Sequence, residues 1–153
     1  MSPSRLTPVA GLIVLTLGAC GEGQDGASES AAADDPAQIR AAIQRVWNDV
    51  YDASRAGDGE RVCRHATARY ARGLVAAAGG KTCAEAARNA GRLVKDAVPA
   101  GAAPRYSAFT TSGARARIRV TLPAEGGPLR NDVRFRLVDG EWRVDGDSGL
   151  DAQ

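Results

Sequence analysis

Apolar residues recur every three or four positions through Ile39, Ile43, Val46, Val50 and Ser54, with Arg45, Asn48, Asp52 and Arg55 opposite them. On an idealised wheel that stripe covers less than ~100°, which predicts an amphipathic helix. Asp35 suits its N-cap and Pro36 its first turn, and Gly57-Asp58-Gly59 ends it. A second stripe, Val62, Ala66, Tyr70 and Leu74, keeps intervals of four and predicts one helix from Glu60 to Ala77, broken by Gly79-Gly80. Thr82, with Glu85 in capping-box spacing, opens a third helix whose face carries Cys83, Ala87, Ala90, Val94 and Ala97.

After the breaker segment from Pro99 to Pro104 the period changes to two. In ARARIRVTL, Ala114, Ala116, Ile118, Val120 and Leu122 alternate with Arg115, Arg117, Arg119 and Thr121, the mark of a half-buried strand. Tyr106 to Thr111 precedes it across Ser112-Gly113, which predicts a hairpin. DVRFRLVDGEWRV predicts a second hairpin on Asp139-Gly140, a pair that favours a type I′ turn. In that register Leu137 faces Trp142, Phe135 faces Val144 and Arg136 faces Arg143. Three helices followed by about four antiparallel strands define an α+β layer arrangement over residues 35–150.

The segment ahead of this domain is of a different kind. Arg5 precedes an apolar run, Val9 to Leu17, too short for the about 20 residues of a spanning helix but suited to a secretory leader. The run ends in Leu17-Gly18-Ala19-Cys20, which resembles the lipobox of bacterial lipoproteins. That resemblance implies cleavage after residue 19, acylation of Cys20, and residence on the extracytoplasmic side of the cell membrane. Residues 20–34, without a strong apolar side chain, read as a disordered tether.

Composition narrows the function classes. The net charge of +2 falls once Arg5 is removed, and no polybasic block argues for nucleic acid. The chain uses 18 arginines against two lysines and is rich in Ala and Gly, the mark of a GC-rich genome, and an actinobacterial source is expected. Two cysteines remain after lipidation, and an even pair in an oxidising compartment reads as a Cys63–Cys83 disulfide. A zinc site needs about four ligands, more than two cysteines and one histidine supply. A redox dithiol would favour Cys-x-x-Cys spacing. Neither a metal nor a cofactor is expected.

The element order, helix lengths and paired cysteines resemble the NTF2-like (SnoaL-like) superfamily, in which a curved sheet wraps a long N-terminal helix around a pocket. Enzymes of that superfamily, ketosteroid isomerase and the SnoaL cyclases, use an inward-facing Asp as a proton-transfer base. Here the positions expected to face inward, Ala116, Ile118, Val120, Phe135, Leu137, Trp142 and Val144, include no ionisable group. The expectation is therefore a binding domain without catalysis, with a pocket isomerase or cyclase and a structural dimerisation module as the alternatives. Trp47, Tyr51, Tyr70 and Trp142 would line the cone and hold an apolar ligand or an envelope protein, or else simply fill the core. His65 is expected on a solvent-facing helical surface with Arg61 and Arg72. Arg117, Arg119, Arg134 and Arg136, with Arg115 and Arg143, would share the outer sheet face, there to meet an anionic partner, a second copy or solvent. Asp145 to Gly149, DGDSG, begins like a calcium loop, but no twelfth-position Glu follows.

Overall fold

A computed structural model of the chain describes residues 35–151. The expected leader, Cys20 and the tether lie outside the described residues. The N-terminal helix, α1 (Pro36–Ala56), is bounded as its caps dictate. The Asp35 carboxylate accepts from the Ala37 N–H at 2.9 Å. At the other end Gly57, at φ 73°, turns the chain out and donates to the Ser54 carbonyl. Then come α2 (Gly59–Arg64), α3 (Ala68–Ala78) and α4 (Cys83–Ala97). Four strands follow: β1 (Arg105–Ser112), β2 (Arg115–Leu122), β3 (Leu129–Val138) and β4 (Glu141–Asp147). A one-turn α5 (Ser148–Asp151) ends the described chain.

The strands form one antiparallel sheet in chain order. Its hairpins are those the sequence predicts. Asp139 and Gly140 both have positive φ, and Leu137, Phe135 and Arg136 oppose Trp142, Val144 and Arg143. Two bulges bend the sheet, one across Ser107 to Thr110 and one in β4 opposite Arg134 and Phe135. Ile39, Ile43, Trp47 and Val50 of α1 share a single core with Ile118, Val120, Val133, Phe135 and Val144 of the sheet. Burying each such side chain contributes about 1.5–3 kcal/mol. Among the described residues no helix is long and apolar enough to cross a membrane.

Three expectations need correction. The single helix from Glu60 to Ala77 is two, because β4 reaches in between them. The Val144 N–H donates to the His65 carbonyl at 2.7 Å, and the Thr67 N–H donates to the Val144 carbonyl at 2.9 Å. Those backbone groups cannot also serve an α-helical ladder. Thr67 then becomes the N-cap of α3, accepting from the Tyr70 N–H at 3.2 Å. Cys63, which a single helix from Glu60 would hold in its first turn, consequently sits in the last turn of a six-residue helix. Finally, Leu137 is 36% exposed, since it lies near the turn of the β3–β4 hairpin, where the sheet extends past its cover.

Candidate functional site

A cavity of about 180 Å³ opens between α1, α3, α4 and the ends of β2, β3 and β4. Trp47 and Tyr51, one turn apart on α1, supply one wall, and Tyr70 and Leu74 of α3 another. Gly91 and Val94 of α4 supply a third, while Asn131 and Asp147 form the polar end. The capacity exceeds that of a cavity of about 150 Å³ able to hold benzene, so it suits a compact ligand of one or two rings.

Its polar groups are few and fixed. Asp147 is 6% exposed and pairs with the buried Val133, so it faces inward. Its Oδ1 accepts from the Gly149 N–H at 2.8 Å, and its Oδ2 lies 3.5 Å from Asn131 Nδ2. The inner sheet face therefore does carry an acid, which corrects the expectation of an entirely non-ionisable lining. The Tyr70 hydroxyl is pushed above its ordinary pKa by burial and by the Asp147 charge, so it stays a protonated donor. The Trp47 indole N–H is buried without a hydrogen-bond partner among the described residues. A buried donor left so costs on the order of 1–3 kcal/mol, which a ligand acceptor would recover. The Tyr51 hydroxyl is already spent on the Ala102 carbonyl at 2.9 Å, so only its ring is offered to the cavity.

Trp142 does not join this cavity. It lies in a separate depression of about 440 Å³ with Ala42, Val46 and His65, on the other flank of α1. His65 is not solvent-facing either: its Nε2 is 2.5 Å from Asp49 Oδ2, and its side chain is 29% exposed. Arg61 grips the other oxygen of Asp49. The Arg61 guanidinium, assisted by His65, holds the Asp49 carboxyl below the usual carboxylate range. This cluster clamps α1 to the end of α2. Among the described residues no group of three or more His, Cys, Asp or Glu is placed to hold a metal ion.

On the outer face the arginines share one side of the sheet as expected, Arg117 opposite Arg134 and Arg115 opposite Arg136. They are not equivalent. Asp132 takes both Arg117 and Arg119. These two hold the Asp132 carboxyl below its usual range, Arg119 contributing most. The bulged Asp145, 8% exposed, accepts from the Thr67 hydroxyl at 2.9 Å and lies 3.5 Å from Arg136. Sequence reading missed both buried acids. The one available signal was Gly146, which lets the strand run on through what resembles a loop.

No protein-family profile matches the chain, and no curated protein matches it. Solved structures do. A designed NTF2 protein superposes with a TM-score of 0.51 at 16% identity, covering 71% of this chain and 96% of its own. An NTF-2 like protein of unknown function from Silicibacter pomeroyi gives a TM-score of 0.51 at 18% identity, covering 72% of this chain and 93% of its own. The domain has the NTF2-like α+β fold, a curved four-stranded sheet with its helices on one face.

Proposed function

We propose that this is a lipid-anchored envelope protein that binds, in the cavity between α1 and the sheet, a compact apolar molecule with one polar end. The reading is carried by the cavity's make-up: aromatic walls, an indole N–H that lacks a described partner, and Asp147 with Asn131 at one end. The ligand class that complements it has a ring-sized apolar body, an acceptor for Trp47 and a donor or cation for Asp147. Tethering through acyl chains on Cys20 would hold the domain at the extracytoplasmic membrane face, since two or three chains anchor firmly where one binds only marginally.

Catalysis is the second reading, favoured by Asp147 lying beside Tyr70 on the inner face. Against it, Asp147 Oδ1 is engaged by the Gly149 N–H in the turn into α5 and its Oδ2 lies against Asn131 Nδ2 of β3, so the carboxylate has a structural task. A homodimer through the outer sheet face has less support. An isologous contact would set that face against itself, arginine against arginine.

Two measurements test the reading. Native mass spectrometry of the protein purified from its host membranes should show a bound species that shifts the mass beyond polypeptide plus acyl groups, and Asp147→Asn should lose it. A mass fully explained by polypeptide and acyl groups, with no response of tryptophan fluorescence to small aromatic alcohols and amines, overturns ligand binding. Separately, Cys20→Ala should move the protein to the aqueous fraction or leave its leader uncleaved. A processed form that still fractionates with membrane overturns the anchor.

A further inference from the structure

We infer that a groove on the outer face of the sheet binds the phosphate of an anionic phospholipid headgroup and seats that face on the bilayer. The groove has a volume of about 320 Å³, within the range of small-molecule sites. Arg69 at the start of α3, Arg115 and Arg117 of β2, and Arg134 and Arg136 of β3 surround it, with Asp145 in its floor. Thr110, Thr111 and Ser112 complete the β1 side, the Thr111 hydroxyl donating to the Arg115 carbonyl. The planar guanidinium fork matches phosphate oxygens two at a time, and hydroxyls supply further donors.

Three observations separate this groove from an ordinary solvated surface. The first is charge balance. Arg117 pairs with Asp132, which it shares with Arg119, and Asp145 lies 3.5 and 3.8 Å from Arg136 and Arg69, so arginines outnumber acids and the groove keeps a net positive charge. The second is an energetic cost. Arg117 opposes Arg134, and Arg136 opposes both Arg115 and Arg143, like-charge pairs that weaken a sheet. The third is a place kept for one guanidinium. A Cβ at Gly146 would meet the Arg134 guanidinium, the movable end of a flexible side chain, so glycine there leaves room for that group in its present place. The Arg134 guanidinium thus lies against Gly146 of β4 at the wall of the groove.

The choice of a lipid phosphate rests on the proposed Cys20 anchor. Residues 20–34 can span at most about 50 Å even fully extended, so an anchored domain stays close to the headgroups.

The test uses the chain from Gly21 onward, which keeps every residue of the described fold and has no acylation site, so failure of the anchor cannot affect it. Wild type should partition onto phosphatidylglycerol/phosphatidylcholine vesicles at low salt and not onto phosphatidylcholine alone. Arg115→Gln, Arg134→Gln and Arg136→Gln together should weaken that partition about a hundredfold, at roughly fivefold per basic residue near the surface. The control Arg72→Gln, Arg88→Gln and Arg92→Gln, with the same change in charge on exposed helical positions, should cost only a few-fold. Gly146→Ala, which alters no charge, should also weaken binding by displacing Arg134, with folding checked by thermal unfolding. Equal losses in the two triple variants, or no partition by wild type, overturn the proposal. Binding of soluble glycerol phosphate with no partition onto vesicles overturns the lipid assignment.

Discussion

Gly91→Ala should destabilise the domain by about 2 kcal/mol, although the same change in the middle of a helix normally stabilises by about 1 kcal/mol. The sign reverses because of what α4 packs against. A methyl group on Gly91 would fall inside van der Waals contact of the Ser54 carbonyl oxygen, a backbone atom of α1 that cannot rotate away. Overpacking of a close contact costs about 1–3 kcal/mol, occasionally more, and two helix backbones are less able to yield than a side chain is. The net value sits near the top of that range less the propensity gain. For a domain of this size it corresponds to a fall in Tm of roughly 6–12 °C. Because Gly91 also lines the cavity, the displaced helix should loosen ligand binding in the same variant. Thermal unfolding by circular dichroism decides the matter. A Tm that is unchanged or raised would show that α1 and α4 can separate without cost, and the close crossing would lose its structural role.

Neither that crossing nor the buried acids could be read from the chain, while much of the frame could. The ends of α1 follow from Asp35, Pro36 and Gly57, because a cap is a local interaction between neighbours in sequence. The β3–β4 register follows from Asp139-Gly140 for the same reason. The break at His65 to Thr67 is invisible to periodicity, since Val62, Ala66, Tyr70 and Leu74 hold their interval of four across it. What interrupts the helix is Val144, nearly eighty positions away in the chain. Thr67, a good N-cap inside an apparently continuous helix, was the one local trace. The cavity was legible in three of its four proposed residues. Trp47, Tyr51 and Tyr70 line it, while Trp142 is turned to the opposite flank of α1. Asp147 escaped because a bulge at Asp145 shifts the strand by one residue and aims the next acid inward, and strand parity read from one end cannot foresee the slip.

Removing the Cys63–Cys83 bridge should cost about 3 kcal/mol, from loop-closure entropy over a separation of 20 residues. Against a typical total stability of about 5–15 kcal/mol, that is a large share for one bond. Its place in the fold makes the effect functional as well. The two Cα atoms are 6.1 Å apart and join α2 to the first residue of α4, and the closed loop contains all of α3. Tyr70 and Leu74, which form the α3 wall of the cavity, therefore lie inside the cross-linked segment. Opening the bridge gives α3 and α4 more freedom relative to α1, so ligand affinity should fall together with Tm. Cys63→Ser with Cys83→Ser, and the wild type treated with reductant, should both unfold roughly 10–15 °C below the oxidised protein. Agreement between them separates the loss of the cross-link from the effect of two new hydroxyls. Alkylation of the native protein without reductant should add no mass at either cysteine. Two labelled thiols in the native state, or coincident melting curves with and without the bridge, would show that α2, α3 and α4 are held by packing alone.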